Sequence, residues 1–318
     1  MKRKAVVGID TSNYTTSVSV ISVDGEIISN VKELLPVPEG QCGLRQSDAL
    51  FNHTKNLPGI IRSLGDVFSE VELVAVGVST RPRNVEGSYM PVFLAGLSAA
   101  EAIAATHAVP LYEFSHQCGH IRAALYSSGR EELMGDCFSA LHASGGTTEL
   151  LRVMPDKNGF KTEIVGGTLD LNAGQVVDRV GVLLGTPFPA GPHLEALALS
   201  YEGKPQRRQI SCRGMHLNLS GVENMAAKLY KECGDKSCVA MFVFDYIGRA
   251  IVKITKELYD TFGESTLVAA GGVMCNSIIK RIMSSELDVV FAEPGLSSDN
   301  AVGVGLLALD AFKASQIK

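Results

Sequence analysis

Residues 4–31 read KAVVGIDTSNYTTSVSVISVDGEIISNV and predict three consecutive β-strands. The first is a short apolar run, and the polar residues 10–15 predict a turn after it. Residues 16–23 alternate between polar and apolar side chains, which is the period of a half-buried strand. Asp24-Gly25 is typical of a hairpin turn, so the residues that follow are predicted to return as the third strand.

The same plan occurs a second time, in residues 136–166, where the polar turn is at 144–148. In each copy, helical segments follow, together with one more apolar run, at 73–79 and at 266–270. Such continuous apolar runs are typical of strands buried on both faces. Two halves with one plan indicate an internal duplication of architecture.

The duplication predicts an α/β protein of two domains. At 318 residues, the chain is long enough for two domains of roughly 150 residues each. We expect the N-terminal half to comprise residues 1–112 and the C-terminal half residues 113–299. The predicted helix at 300–318 is expected to return to the N-terminal half.

The composition limits the cellular setting. The net charge of −5 gives no general attraction to nucleic acid or to an anionic membrane. The densest basic stretch is residues 203–208 with Arg213, which is either a solvated loop or a contact to RNA phosphates. No apolar run approaches the roughly 18 residues of a membrane span. Seven cysteines without a CxxC pair, and no recognisable signal peptide, predict a reducing, cytoplasmic location.

Two histidines, His116 and His120, indicate a metal site. Their spacing of four residues puts both imidazoles on one face of a helix, where they can bind one ion. The run resembles the zinc-protease pattern, but Gln117 stands where that pattern needs a glutamate as general base. A third ligand must come from elsewhere in the chain. The alternative is two helix histidines with ordinary hydrogen bonds.

Three polar turns that contain Gly or Thr follow predicted strands, at 10–16, 144–148 and 271–276. Short turns of this kind expose backbone N–H groups that can bind phosphate. Their equivalent positions in the two halves are the plan of the actin-like ATPase fold, in which a nucleotide lies in the cleft between the duplicated domains.

Three single residues have two interpretations each. Asp178 is predicted within a helix among apolar neighbours, where it either faces solvent or has a specific role. Asn276 is either a helix cap or a contact to a ribose or purine. Asp299 precedes an apolar helix and is either its cap or a ligand.

Seven motifs occur in the order in which one known family carries them. They are Gly8–Ser12, His116-x3-His120, Ser144-Gly145-Gly146, the stretch from Leu169 to Pro192, Ser220-Gly221, Gly271-Gly272-Val273-x2-Asn276 and Asp299-Asn300. Together they resemble the TsaD/Gcp family, once called O-sialoglycoprotein endopeptidases. The resemblance implies the actin-like fold and the transfer of a threonylcarbamoyl group. The implied donor is threonylcarbamoyl-adenylate, and the acceptor is the adenosine beside the tRNA anticodon.

The resemblance also implies roles for individual residues. His116, His120 and Asp299 match the family's metal ligands, which hold one ion of iron or zinc. The positions that match residues holding ATP, AMP or the acyl-adenylate are Ser144, Gly145, Gly146, Asp178, Gly191 and Asn276. The implied partners are tRNA and a TsaB-like protein, with no membrane.

The chain departs from the family's pattern near these positions. Tyr14 and Thr15 stand where the family has an acidic pair, and Thr147 stands where it has a histidine. Further departures are Leu171, Gln175, Glu223 and the run Arg81–Asn84. The chain is therefore identified as a divergent member of the family, and we assign no catalytic residue.

Three functions follow from these observations. The first is metal-dependent threonylcarbamoyl transfer to tRNA adenosine, or a close variant of it. The second is a non-catalytic, nucleotide-binding paralogue that acts in a complex, which the lost charges favour. The third is a metallopeptidase, which lacks a general base after His116.

Overall fold

A computed structural model describes residues 2–12, 14–36, 44–157, 159–297 and 300–317. The strands are β1 Arg3–Thr11, β2 Thr15–Ser22, β3 Ile27–Leu34, β4 Val71–Arg81, β5 Leu111–Ser115, β6 Phe138–Ala143, β7 Thr148–Asp156, β8 Gly159–Thr168, β9 Cys212–Arg213, β10 His216–Leu217, β11 Thr266–Ala270 and β12 Asp288–Phe291. The helices are α1 Gln46–Ser63, α2 Gly65–Glu70, α3 Phe93–His107, α4 His116–Ser128, α5 Ala173–Leu183, α6 Gly191–Leu199, α7 Ser220–Cys233, α8 Lys236–Phe262, α9 Ser277–Ser284, α10 Pro294–Ser297 and α11 Ala301–Gln316. Short 3-10 segments lie at Glu131–Gly135 and Gly272–Cys275.

The chain divides into two compact units. Unit 1 comprises Met1–Asp136, Met154–Thr162 and Glu293–Lys318, and unit 2 comprises Cys137–Val153 and Glu163–Ala292. Strand β5, which spans the expected boundary at residue 112, groups with unit 1, as do helices α4 and α11. Within the described residues, no helix is both long enough and apolar enough to cross a membrane.

The two units repeat one sheet plan. In unit 1 the strand order is β3-β2-β1-β4-β5. Strands β1, β2 and β3 form the antiparallel meander, and β4 and β5 join β1 in parallel. In unit 2 the corresponding part of the order is β8-β7-β6-β11-β12, again with β11 and β12 parallel to β6. The predicted duplication and the predicted α/β class are therefore confirmed.

Unit 2 extends its sheet beyond this plan. The two-residue strand β10 pairs in parallel with the end of β8, and β9 pairs antiparallel with β10. The 27-residue helix α8 supplies the largest buried side chains of this unit, Phe242, Phe244 and Tyr246. The residues around β9 are thus attached both to the edge of the sheet and to the core helix.

Helix α11 packs unusually close to the other elements of unit 1, because its own glycines face theirs. A Cβ added to Gly8 in β1 would lie 2.6 Å from the backbone nitrogen of Gly305. A Cβ added to Gly303 would lie 2.6 Å from the carbonyl carbon of Gly119 in α4. Only glycine permits such an approach of two backbones. This packing brings the start of α11 against the first turn of α4.

Candidate functional site

Helix α4 begins at His116 and presents both predicted metal-binding histidines on one face. Its first turn is capped by Ser115, whose Oγ accepts a hydrogen bond from the N–H of Cys118 at 3.2 Å. The Nε2 atoms of His116 and His120 lie 3.1 Å apart, and their ring centroids are 4.5 Å apart. The spacing of four residues therefore brings the two imidazoles together, as predicted.

A buried carboxylate lies behind the first histidine. Oδ1 of Asp10, at the end of β1, is 3.1 Å from Nδ1 of His116, and the hydroxyl of Ser79 donates to the same oxygen. Burial opposes the charge on Asp10. The charge of His116, together with hydrogen bonds from His116, Ser79 and Ser12, outweighs burial and lowers the pKa of Asp10. Asp10 is thus held as an anion that orients the imidazole.

The start of α11 completes the surroundings of His116. The amide nitrogen of Asn300 donates to the backbone carbonyl of His116 and lies 2.8 Å from its Nδ1. Asn300 is almost fully buried. Gly303 packs against the backbone of Gly119, and this close approach holds the start of α11 beside His116.

The histidine pair fits two ligands of one metal ion. Imidazole nitrogens bind zinc at about 2.0–2.1 Å, so two neighbouring ligands lie roughly 3 Å apart. The observed 3.1 Å between the Nε2 atoms matches this separation. A carboxylate on the far nitrogen of a metal-bound histidine is the usual orienting contact, and Asp10 supplies it. Among the described residues, no group of three or more His, Cys, Asp or Glu side chains is placed to hold a metal. The third predicted ligand, Asp299, lies outside the described residues.

The predicted phosphate turn of unit 2, Ser144 to Gly146, lies at the carboxyl end of β6. The N–H of Ser144 donates to the carbonyl of Thr147 at 2.8 Å, which closes the turn. Gly174, in the first turn of α5, approaches the turn so closely that a Cβ would lie 2.7 Å from Gly145. By contrast, a Cβ on Gly145 or Gly146 would meet no described atom within 4 Å. The outer side of the turn is open, as a phosphate site requires.

The end of β11 lies beside this turn. Gly271 has a φ of +99°, which favours glycine, and a Cβ there would press on the carbonyl of Ala143. The chain then continues through a 3-10 turn to Asn276. The carboxyl ends of parallel strands are where α/β sheets bind ligands. Strands β6 and β11 are parallel neighbours, so unit 2 brings two of the predicted turns together at one edge.

Asp178 and Gly191 lie on either side of one loop. Oδ1 of Asp178, in the second turn of α5, accepts a hydrogen bond from the N–H of Ala190 at 2.9 Å. Burial raises the pKa of Asp178, and this hydrogen bond opposes the shift. Gly191 is the first residue of α6, and a Cβ there would meet no described atom within 4 Å. Asp178 thus fixes the backbone at the entry to α6, and its contact to the nucleotide stays a prediction.

Asn276 is a helix cap. Its Oδ1 accepts hydrogen bonds from the N–H groups of Ile278 and Ile279 at 3.1 and 3.0 Å. Glu195, in α6, binds the next residue, Ser277, through both its N–H and its hydroxyl. The first turns of α6 and α9 are therefore linked beside the glycine turn.

Three of the residues that depart from the family's pattern, Tyr14, Thr15 and Thr147, lie at two turns. Thr15 is buried at the start of β2 and pairs in register with Leu34, while Tyr14 is 38% exposed in the turn before it. Thr147 closes the glycine turn through its carbonyl oxygen. None of the three carries a charge.

Sequence reasoning did not assign Asp10 and Asn300 to the surroundings of the histidines. Both lie in motifs of the family's pattern. The available signal for Asp10 was an acid at the end of a buried strand. A cavity of about 450 Å³ in unit 1 was also not predicted from the sequence. It adjoins the first turn of α4 at Ser115 and Cys118. Cys118 is buried, its pKa is raised by burial, and its sulfur accepts a hydrogen bond from Asn84 at 3.1 Å.

The duplicated sheets, with their polar turns, define a two-unit protein of the actin-like ATPase class. The chain belongs to the family described as TsaD, tRNA N6-adenosine threonylcarbamoyltransferase, which matches residues 27–306. A protein of that name from Thermus thermophilus is 32% identical over 317 residues, which cover 97% of this chain and 92% of the relative. A protein of the same name from Methanopyrus kandleri is 28% identical over 304 residues, which cover 92% of this chain and 84% of that relative.

Solved structures agree with the fold. The HypF protein of T. kodakarensis has a TM-score of 0.62 at 13% identity, covering 99% of this chain and 48% of its own. The activator of the 2-hydroxyisocaproyl-CoA dehydratase from Clostridium difficile, with bound ADPNP, has a TM-score of 0.54 at 16% identity and covers 98% and 97%. At these identities the similarity supports the fold alone.

Proposed function

We propose that this chain transfers a threonylcarbamoyl group from threonylcarbamoyl-adenylate to adenosine in tRNA. The observation that carries the proposal is the family match over residues 27–306, with relatives of that name aligned along 92% or more of the chain. A tRNA substrate also implies a cytoplasmic protein, and a TsaB-like protein is the proposed partner.

The adenylate is proposed to bind unit 2. The open side of the Ser144–Gly146 turn leaves room for the phosphate, to which the backbone N–H groups of Gly145 and Gly146 would donate. Asn276 uses Oδ1 to cap α9, so its Nδ2 group is what it can offer to a ribose or purine. The nucleotide-bound structure of similar fold supports ATP, AMP or an acyl-adenylate as the ligand class.

The metal is proposed to bind unit 1. His116, His120 and Asp299 would hold one ion of iron or zinc, and that ion would supply Lewis-acid polarisation of an acyl donor. Asp10 accepts the proton on Nδ1 of His116, which leaves the lone pair of Nε2 for the ion. Asn300 fixes the backbone of the same residue.

The reaction is expected to be slow. Tyr14, Thr15 and Thr147 replace charged groups of the family, and groups that stabilise a transition state are worth about tenfold in rate for each 1.4 kcal/mol. The positions proposed for ligand binding are present. We therefore expect turnover to be slow or absent while the affinity for the ligands is retained.

The test is incubation of the full chain with threonylcarbamoyl-adenylate, tRNA and a TsaB-like protein, followed by nucleoside digestion and mass spectrometry. The Thermus thermophilus relative serves as the control. We expect modified adenosine at a rate well below that of the control. A rate equal to the control would show that the missing charges are dispensable. No modified adenosine, with nucleotide binding retained, would favour the non-catalytic paralogue.

A further inference from the structure

One exposed loop of unit 2 concentrates positive charge. Residues 203–213, called the basic loop from here on, contain one lysine and three arginines and no acidic residue, in a chain of net charge −5. The four cations are Lys204, Arg207, Arg208 and Arg213, and each is exposed. None of the ion pairs formed among the described residues involves any of the four.

The backbone of the basic loop is held at Lys204, Gln209 and Ser211, although the loop contains almost no regular structure. The hydroxyl of Tyr246, a core residue that is 1% exposed, accepts from the N–H of Ser211 at 3.0 Å and donates to the carbonyl of Gln209 at 3.4 Å. The carbonyl of Ser211 accepts from the N–H of Asn218 at 3.0 Å. At the other end, the hydroxyl of Tyr201 donates to the carbonyl of Lys204 at 3.4 Å.

Four like charges within one loop repel one another, which opposes folding. The chain contains 34 acidic residues that could have neutralised them. A loop that only connects α6 to the sheet needs neither the charges nor a buried tyrosine to hold it. The arrangement suits a polyanion, for which cations on a fixed backbone lose little entropy on binding.

We propose that the basic loop is a docking surface for the phosphodiester backbone of tRNA. This inference rests on the proposed function, since it assigns a surface to the proposed substrate. Arginine suits the role because its planar guanidinium binds phosphate through two parallel hydrogen bonds. Contacts of this kind position an RNA without reading its sequence.

The test compares two double variants of the full chain in tRNA binding, measured by fluorescence anisotropy at several salt concentrations. Arg207→Gln with Arg208→Gln removes two charges from the basic loop. The matched control, Lys228→Gln with Lys231→Gln, removes two charges from exposed positions on α7 of the same unit. Both pairs change the net charge equally.

We expect the loop variant to raise the Kd for tRNA about tenfold at physiological salt. The slope of log Kd against log salt concentration should fall by roughly one to two. The control should bind like the wild type. An unchanged Kd and slope in the loop variant would overturn the proposal, as would equal losses in both variants. If the wild type modifies tRNA but the loop variant binds tRNA as tightly as the wild type, the docking surface is rejected and the proposed function is not. If tRNA binding depends on the basic loop but the wild type modifies no tRNA, the proposed transfer reaction is rejected and the docking surface is supported.

Discussion

The crossing of α4 and α11 gives a sharp test of how the histidines are positioned. In Gly303→Ala, the new methyl group would lie 2.6 Å from the carbonyl carbon and 3.0 Å from the Cα of Gly119. Both are backbone atoms, so no side-chain rotation relieves the clash and the helices must separate. Overpacking of this kind costs up to about 3 kcal/mol, and the better helix propensity of alanine returns about 1 kcal/mol. The expected net loss is about 2 kcal/mol.

Differential scanning calorimetry measures this loss. A domain of 150–250 residues loses about 2–4 °C in Tm for each kcal/mol, so Gly303→Ala should melt roughly 4–8 °C below the wild type. The control is Gly59→Ala in α1, where an added Cβ meets no described atom within 4 Å. It should gain about 2–4 °C from helix propensity alone. A Gly303→Ala protein that melts at or above the wild type would refute the close-packed crossing.

Three other predictions concern the proposed sites and one helix end. His116→Ala with His120→Ala should lose the near-stoichiometric metal that elemental analysis is expected to find in wild-type protein purified without chelator. Unchanged metal content would mean that the histidines are only structural. Gly146→Leu should weaken ATP or AMP binding in calorimetry, because the side chain would occupy the open side of the turn. Equal affinities would exclude that turn as the phosphate site. Burial opposes the charge of Asp170, but hydrogen bonds from Ser220 and from backbone N–H groups at the start of α7 outweigh it and lower the pKa of Asp170 to about 2. Asp170→Asn should destabilise the chain by about 1 kcal/mol at pH 7. The lowered pKa means that this stabilisation is present above about pH 4 and is lost as pH falls towards 2, so urea midpoints of variant and wild type should converge there.

The strands and helices could be predicted because their signals are local. The period-two run and the hairpin turn of residues 16–25 involve neighbours in sequence, and so does the helical spacing of His116 and His120. Asn276 was predicted as either a cap or a contact to a ribose or purine. Its oxygen caps α9 through the N–H groups two and three residues later, and the nucleotide contact stays a prediction.

The surroundings of the histidines could not be predicted in the same way. Asp10 and His116 are 106 residues apart, and Asn300 is 184 residues from His116. They meet because β1, β4 and β5 pair in parallel register and because α11 returns to the same sheet. Nothing in the local pattern of any of these segments encodes that pairing.

The packing of α11 on β1 also determines when unit 1 can be completed during protein synthesis. Its first strand emerges from the ribosome long before the helix that covers Gly8. Between Asp136 and Ala301 the ribosome must synthesise nearly all of unit 2. At 5–20 residues per second this takes roughly ten to thirty seconds. Throughout that interval the nascent sheet exposes the apolar surface that α11 will later bury. Unit 2 ends at Ala292, before α11 begins at Ala301, so unit 2 can complete its fold before unit 1 does.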